Sequence, residues 1–230
     1  MDNYDAIAEN YNTSEQDAIT LWRLGYSMVS KQLGNLNGRA VLDYGCGTGT
    51  FSRFLESEGA MVTGVDVSDN MIEVAKQQRS RSITYYPIIN LDFLENETFD
   101  FVVTNFVLCT ISSRWEILSI LQQIHRVLKK GGRFLILNSN WDRSNGKEFL
   151  SFKLEYSKNL SSGHPITAII TSNPPIPLHD YFWSIEDYQD MLKESGFTNL
   201  VFQEEIAKDD DVDWLDEIAF PPYYLISARK

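Results

Sequence analysis

The chain has 230 residues, 43% of them apolar, and a formal net charge of −12. Its length suits a single α/β domain with a sizeable core, and its charge disfavours partners that present phosphates, so we expect no nucleic-acid substrate. No apolar run approaches the roughly 20 residues of a membrane span, and the start lacks the basic and apolar regions of a secretory signal. Because Cys46 and Cys109 are the only cysteines, we predict a cytoplasmic protein without a disulfide scaffold or membrane contact.

The first 33 residues predict two helices. A short amphipathic helix over residues 2–12 places Tyr4 and Tyr11 on one face. An apolar stripe predicts a second helix over about residues 15–33. The aromatic face either packs on the core or closes over a ligand, and both interpretations stay open at this point.

A glycine-rich turn follows the first predicted strand. The apolar residues 40–42 lead into Asp43, and three glycines spaced two apart follow over residues 45–49. Strand, turn and helix in this order begin an open α/β sheet, where ligands bind at the carboxyl ends of strands. An acid here opposes a diphosphate, since two unit charges about 4 Å apart interact by roughly 4 kcal/mol at an effective dielectric of 20. With Thr50 in place of a further glycine, the turn disfavours NAD and favours an ammonium or sulfonium ligand; the alternative is a tight turn without a ligand.

A second acid, Asp66, ends the second predicted strand over residues 61–66. A carboxylate at this strand end can accept hydrogen bonds from both hydroxyls of a ribose. Ser68 predicts the N-cap of the next helix, so the alternative is that Asp66 only supports that cap or is solvated. S-adenosylmethionine suits both acids, because it combines a ribose with an ammonium and a sulfonium.

Five motifs resemble a known family. LDYGCGTG (residues 42–49) and GVDVS (64–68) resemble the first two motifs of class I S-adenosylmethionine-dependent methyltransferases. YDAIAENY (4–11) resembles the start of their small-molecule branch, which includes the quinone-biosynthesis methyltransferases, and FDFVV (99–103) and RVLKKGG (126–132) match two further blocks. The resemblance implies an α/β fold with a Rossmann-like, seven-stranded, mostly parallel sheet, an antiparallel last strand and helices on both faces. It also implies S-adenosylmethionine as methyl donor and S-adenosylhomocysteine as product. Because no Cys/His cluster has metal-ligand spacing, we expect no metal.

The resemblance and the strand ends together predict the site residues. Asp92 and Phe93 resemble the residues that contact the adenine in this family, although Asp92 is also interpretable as an ordinary loop acid. The full predicted cofactor-binding set is Tyr11, Asp43, Gly45, Cys46, Gly47, Gly49, Asp66, Val67, Met71, Asp92, Phe93, Asn105 and Phe106. A base helps when the acceptor is a phenol or an ammonium. The candidate catalytic residues are therefore His179, Tyr11 and His164, with a plain surface position as the alternative for the two histidines.

The second half of the chain predicts the remaining elements and an insertion. Residues 140–183 are interpreted as an insertion above the substrate pocket, with a helix over 147–159 and a Ser-, Gly- and Pro-rich loop over 160–178. The other predicted elements are strands over 83–88, 99–105, 133–138, 198–205 and 223–229, helices over 113–129 and 184–194, and a solvated acidic loop around 209–213.

We therefore expect one methyltransferase domain over residues 1–230, in which residues 1–33 (the N-terminal segment) and residues 140–183 (the insertion) enclose a small-molecule acceptor. The expected reaction transfers a methyl group from S-adenosylmethionine to an N or O atom of a small aromatic or heterocyclic metabolite by in-line displacement. Alternatives are methylation of a protein or tRNA, cofactor binding without catalysis, and a nicotinamide-dependent oxidoreductase. A monomer or a homodimer is expected.

Overall fold

The structure is a computed structural model that describes residues 4–78, 80, 82–88, 90–208 and 211–230, with side chains from residue 8 onward in these ranges. The side chain of Tyr4 and residues 209–210 of the predicted acidic loop lie outside the described residues. The strands in this part of the chain are β1 (Ala40–Tyr44), β2 (Met61–Asp66), β3 (Thr84–Pro87), β4 (Phe99–Asn105), β5 (Leu128–Ser139), β6 (Phe152–Leu154), β7 (Pro165–Ile170), β8 (Ile176–Tyr181), β9 (Thr198–Glu204) and β10 (Tyr223–Arg229).

The central sheet has the order β3-β2-β1-β4-β5-β10-β9. β1 pairs in parallel with β2 and β4, and β4 pairs in parallel with β5, while β10 is antiparallel to both β5 and β9. The predicted seven-stranded sheet with an antiparallel last strand is therefore confirmed. From β1 the chain builds outward to β2 and β3, and then crosses to β4 on the other side of β1. This reversal opens a crevice beyond the carboxyl ends of β1 and β4.

Helices cover both faces of this sheet. Alternate residues of β1 point to opposite faces: Val41 packs in one core with Leu55, and Leu42 packs in the other with Leu121. The helices are α1 (Tyr4–Gln16), a π-helical segment (Leu21–Tyr26) that continues into α2 (Ser27–Leu33), α3 (Thr50–Ser57), α4 (Asp69–Gln77), α5 (Arg114–Val127), α6 (Trp141–Ser144) and α7 (Ile185–Glu194).

Helix ends follow local chemistry. The Ser68 side chain accepts a hydrogen bond from the N–H of Met71 and caps α4, as the sequence predicts. α5 ends at Val127 rather than at residue 129, because β5 already begins at Leu128. None of the described helices combines the length and the apolarity that crossing a membrane requires.

The insertion contains a small antiparallel sheet in the order β6-β7-β8. The helix predicted over 147–159 is wrong: Phe149 and Phe152 are buried, but Tyr156 is 70% exposed, and Phe152 begins β6. The loop predicted over 160–178 is also wrong, since it contains β7 and the start of β8. Pairing between distant residues outweighs the helix-like spacing of the aromatic residues, which is only a local signal.

Candidate active site

The glycine turn is tied to the end of β2. The N–H groups of Gly45 and Cys46 donate to the carbonyl of Val65 at 2.7 and 2.9 Å, and the N–H of Gly47 donates to Asp66 Oδ2 at 2.8 Å. Asp66 Oδ1 accepts from the N–H of Ser68 at 2.9 Å. The carboxylate is therefore held in one orientation by two backbone donors, one on each oxygen.

Gly45 and Gly47 differ in what surrounds them. Gly45 has φ +74°, and a Cβ there would lie 2.2 Å from Cγ2 of Val107, so the close approach of the loop to the residue after β4 requires glycine. Gly47 has φ +52°, and a Cβ there would meet nothing within 4 Å. That side of Gly47 faces open space.

Gly47 is one of the residues that line a cavity at the carboxyl ends of β1, β2 and β4, which we call the loop cavity. Its volume is about 1260 Å³ when the space open to solvent is included. The residues that line it are Tyr11, Tyr44, Gly45, Gly47, Val65, Asp66, Val67, Met71, Ile88, Asn105, Phe106, Val107, Thr110, Ile111, Glu116 and Ile120. Eight of the predicted cofactor-binding residues are thus brought together here. They include Tyr11, which is far from the turn in the sequence.

The loop cavity fits an S-adenosyl group. Asp66 presents a fixed carboxylate for a ribose diol, and Gly47 leaves room for a ligand against the backbone. The buried Oδ1 of Asn105 accepts no hydrogen bond from any described residue, so it is available to a donor on a ligand.

Other predicted cofactor-binding residues do not line this cavity. Asp43 is 1% exposed beneath the loop, where Ser52 donates to its Oδ2 at 2.5 Å, and it does not line the loop cavity. Cys46 and Gly49 face Tyr85 on the other side of the loop.

The predicted adenine contacts also lie outside the lining. Asp92 is exposed, and its N–H bonds to Oδ1 of Asn90 at 3.2 Å. Phe93 is 46% exposed and packs on Tyr86 with ring centroids 4.9 Å apart. The structure places both residues beyond β3, outside the loop cavity.

A second cavity lies between the N-terminal segment, the insertion and the sheet, and we call it the insertion cavity. Its volume is about 660 Å³ when the space open to solvent is included. Tyr11 and Phe106 line both cavities, so these two residues form the shared wall. The remaining lining residues are Ser14, Glu15, Ala18, Leu21, Ser139, Ser151, Phe152, Ala168, Ile170, Leu178, Asp180 and Tyr223.

Phe106 occupies an unusual conformation at this wall. Its φ of +57° lies in the left-handed region, which non-glycine residues rarely adopt. Its N–H bonds to the carbonyl of Leu137 at 2.8 Å, and its ring meets that of Tyr223 edge-on at 5.4 Å. Strain of this kind concentrates at functional sites.

Strand alternation decides which residues of β8 enter the insertion cavity. Leu178 and Asp180 face inward and line it, whereas His179 is exposed and meets Thr167 on the outer face at 3.5 Å. His164 is also exposed, with its Nδ1 3.1 Å from Oγ of Ser161. The geometry brings neither predicted histidine to a cavity.

Two acids that sequence reasoning missed do line the insertion cavity. Asp180 is 7% exposed, and recognising β8 would have identified it as the inward neighbour of His179. Glu15 lies near the end of α1, where its side chain accepts hydrogen bonds from the hydroxyls of Tyr26 and of Thr48, the latter at 3.4 Å. Burial raises the pKa of Glu15, while the hydrogen bonds from Tyr26, Thr50 and Thr48 oppose the shift.

Tyr11 stays protonated at the shared wall. Burial raises its pKa well above the ordinary value, and the charges of Glu15 and Asp180 raise it further. Its hydroxyl is therefore a hydrogen-bonding group and not a ready base.

Comparisons with known proteins agree with this geometry. Residues 42–136 match the family described as methyltransferase domain. The chain is 32% identical over 202 residues to N-demethylindolmycin N-methyltransferase of Streptomyces griseus, which covers 83% of this chain and 84% of that protein. It is also 32% identical over 211 residues to demethylmenaquinone methyltransferase of Tropheryma whipplei (strain Twist), which covers 85% and 82%.

Solved structures show the same fold. An S-adenosylmethionine-dependent methyltransferase from Mesorhizobium loti has a TM-score of 0.66 at 19% identity, and the alignment covers 93% of this chain and 99% of that one. The 1,6-didemethyltoxoflavin-N1-methyltransferase of Burkholderia thailandensis, solved with 1,6-didemethyltoxoflavin and S-adenosylhomocysteine, has a TM-score of 0.62 at 18% identity and covers 98% and 84%.

The sheet order, the glycine loop and the acid at the end of β2 define a methyltransferase fold. The chain belongs to the family of S-adenosylmethionine-dependent methyltransferases and is an enzyme of that class.

Proposed function

We propose that this enzyme transfers a methyl group from S-adenosylmethionine in the loop cavity to an N or O atom of a small aromatic or heterocyclic metabolite in the insertion cavity. The observation that carries the proposal is the shared wall, because Tyr11 and Phe106 each line both cavities. A donor in one cavity and an acceptor in the other meet at these two side chains.

When bound, S-adenosylmethionine supplies a methyl carbon whose bond to sulfur breaks, with the electron pair remaining on sulfur, as the lone pair of the acceptor forms the new bond. The protein's task is to hold the two reactants in line and to exclude water. Asp66 fixes the ribose end of the donor, Gly47 admits it to the loop, and Phe106 borders both cavities where the two reactants meet. No histidine among the described lining residues serves as a base, so the proton of the acceptor passes to water or to a carboxylate of the insertion cavity.

The shape of the insertion cavity favours a small acceptor over a macromolecule. α1 and the π-helical segment line one side of the cavity, and all three strands of the insertion line another. Such enclosure suits a molecule that is largely removed from water. The relatives named for N-demethylindolmycin and demethylmenaquinone are consistent with a small acceptor.

Two measurements test the proposal. Calorimetric titration with S-adenosylmethionine, S-adenosylhomocysteine and NAD should show saturable binding of the first two and none of NAD. A turnover screen with methyl-labelled S-adenosylmethionine should compare small aromatic N and O acceptors with bulk tRNA and protein, with Asp66→Ala as the donor-site control. Transfer to tRNA or protein without transfer to any small molecule would overturn the proposed acceptor class.

A further inference from the structure

The insertion cavity has charge of one sign. Glu15 and Asp180 line it, and none of its described lining residues is Lys, Arg or His. The adjoining loop cavity repeats this pattern, with Asp66 and Glu116 as the ionisable carboxylates among its described lining residues and no cation. A molecule that enters the insertion cavity therefore meets two carboxylates and no positive side chain among the described lining residues, while the charge of Arg53, outside the lining, acts on Glu15.

The two carboxylates of the insertion cavity have different neighbours. Glu15 is already engaged by the hydroxyls of Tyr26 and Thr48. Asp180 lies on β8 next to Cys109, and burial together with the neighbouring Asp180 carboxylate raises the pKa of the Cys109 thiol, so the thiol stays protonated. A carboxylate has two oxygens with about four acceptor positions, so Asp180 can accept a hydrogen bond from a ligand in the cavity in addition to its contacts within the protein.

The rest of the cavity favours a flat molecule. The rings of Phe152 and Tyr223 lie nearly parallel, with centroids 5.1 Å apart and planes inclined by 18°, and Phe106 meets Tyr223 edge-on at 5.4 Å. Leu178 and Ile170 complete an apolar side. Apolar and aromatic walls with one or two fixed polar groups are typical of sites for planar ligands.

We propose that the methyl acceptor is a planar, neutral or cationic molecule with N–H donors, that Asp180 accepts a hydrogen bond from one of those N–H groups, and that the carboxylates exclude anionic molecules. This inference rests on the proposed function and names the acceptor class within it. In this assignment Asp180 is a specificity-determining residue, because its carboxylate can form a charge-assisted hydrogen bond only with a ligand that has a hydrogen-bond donor.

The test uses three probes of similar size and different charge: benzamidine as cation with N–H donors, benzamide as neutral donor, and benzoate as anion. Each is titrated calorimetrically into the protein alone and into the protein saturated with S-adenosylhomocysteine. Benzamidine should bind more tightly than benzoate by about tenfold or more, as expected when a charged hydrogen bond is gained rather than a like-charge contact. Benzamide should lie between them.

Asp180→Asn should weaken benzamidine binding by about tenfold and reduce the difference in affinity between benzamidine and benzoate. Thr167→Val, on the outer face of the same small sheet, is the matched control and should leave all three affinities unchanged. Affinity for S-adenosylhomocysteine should be unaltered in both variants, which also reports that they are folded.

The outcomes separate the two proposals. Equal or tighter binding of benzoate by the wild-type protein overturns the acceptor class, whatever the variants do. A preference for benzamidine that survives in Asp180→Asn overturns the role of Asp180. Failure of S-adenosylhomocysteine to bind contradicts the proposed function instead, and the titrations of the protein alone still decide the charge preference.

Discussion

Thr20 Oγ1 donates a hydrogen bond of 2.8 Å to the buried carboxylate of Glu217, joining the N-terminal segment to a loop close to the end of the chain. The same carboxylate accepts from the N–H of Leu150 at 2.7 Å and from the N–H of Leu215 at 2.9 Å. Thr20 and Ser151 also exchange hydrogen bonds between backbone N–H and hydroxyl at 3.0 and 3.2 Å. One side chain therefore holds together two segments that line the insertion cavity.

We expect Glu217→Ala to lower the free energy of unfolding by about 3 kcal/mol, because it leaves one buried hydroxyl and two partly buried N–H groups without an acceptor. Urea unfolding followed by circular dichroism measures the change. Glu205→Ala removes an exposed ion pair with Lys31 at 2.9 Å and should cost less than about 1 kcal/mol. A similar loss in both variants would show that the three hydrogen bonds to Glu217 contribute little.

The two loop glycines should fail in different ways. Gly45→Ala forces a Cβ to within 2.2 Å of Val107, so it should destabilise the fold by several times the roughly 1–2 kcal/mol of a left-handed alanine. Gly47→Ala meets no protein atom within 4 Å. It should lower the free energy of unfolding only by the roughly 1–2 kcal/mol of a left-handed alanine. It should also weaken S-adenosylhomocysteine binding by about tenfold or more, because the added methyl group projects towards the loop cavity. Melting temperature and calorimetry on both variants measure the contrast; a cofactor affinity of Gly47→Ala equal to wild type would contradict it.

Asp66→Ala should weaken binding of S-adenosylhomocysteine by about 2–3 kcal/mol, since it removes charge-assisted hydrogen bonds to the ribose. Asp69→Ala, three residues further and exposed at the start of α4, is the control and should leave the affinity unchanged. Calorimetry at equal salt concentration gives both values. Unchanged affinity in Asp66→Ala would remove this carboxylate from the donor site.

The buried carboxyl of Asp43 should make stability depend on pH. Burial raises its pKa from 3.8 to about 7, against the hydrogen bond from Ser52, and the charges of Glu15 and Asp66 add to the rise. At low pH the group is protonated in both states. Between 3.8 and about 7 the unfolded chain releases the proton while the folded chain keeps it, so the free energy of unfolding falls as pH rises and levels off above that window.

Asp43→Asn should remove this slope. The difference in unfolding free energy between Asp43→Asn and wild type should shift in favour of the variant from pH 4 to pH 7, by at most roughly 4 kcal/mol. Urea unfolding at a series of pH values gives the difference, in which the other acids cancel. Parallel curves for the two proteins would mean that the pKa of Asp43 is the same in the folded and the unfolded chain.

Local patterns in the sequence were sufficient to predict the strands of the central sheet, but they were insufficient to predict the small sheet of the insertion. β4 and β10 have the predicted bounds, because continuous apolar runs of strand length are a local signal. β6 to β8 are stabilised by pairing with one another, and Phe149, Phe152 and Tyr156 happen to repeat at helical spacing. Once residues 160–178 are taken as a loop, β8 (Ile176–Tyr181) is not recognised, and no strand alternation distinguishes His179 from Asp180.

Some residues of the candidate site could likewise be predicted from local sequence patterns, whereas others depend on tertiary packing. Asp66, Gly45 and Gly47 were predictable, because a strand end and a glycine turn fix which backbone faces a ligand. The placement of Glu15 beside Thr48 depends on how α1 folds back onto the loop, which is tertiary information. The side on which Asp43 lies depends likewise on its hydrogen bond to Ser52.

The N-terminal segment should become protected from hydrogen exchange when the cofactor product binds, and the insertion only when the acceptor binds as well. Tyr11 of α1 lines the loop cavity as well as the insertion cavity, whereas none of β6, β7 and β8 contributes a described residue to the lining of the loop cavity. In hydrogen exchange followed by mass spectrometry, S-adenosylhomocysteine alone should therefore slow exchange in the glycine loop and in α1. Exchange in β6 to β8 should slow only when the acceptor identified by the turnover screen is added, because only the acceptor contacts the inner face of the small sheet.

The helix α7 provides the internal reference in this experiment, since it contributes no described residue to the lining of either cavity. Protection of the glycine loop without any change in α1 or the insertion, with both ligands present, would show that these two segments do not close over the site.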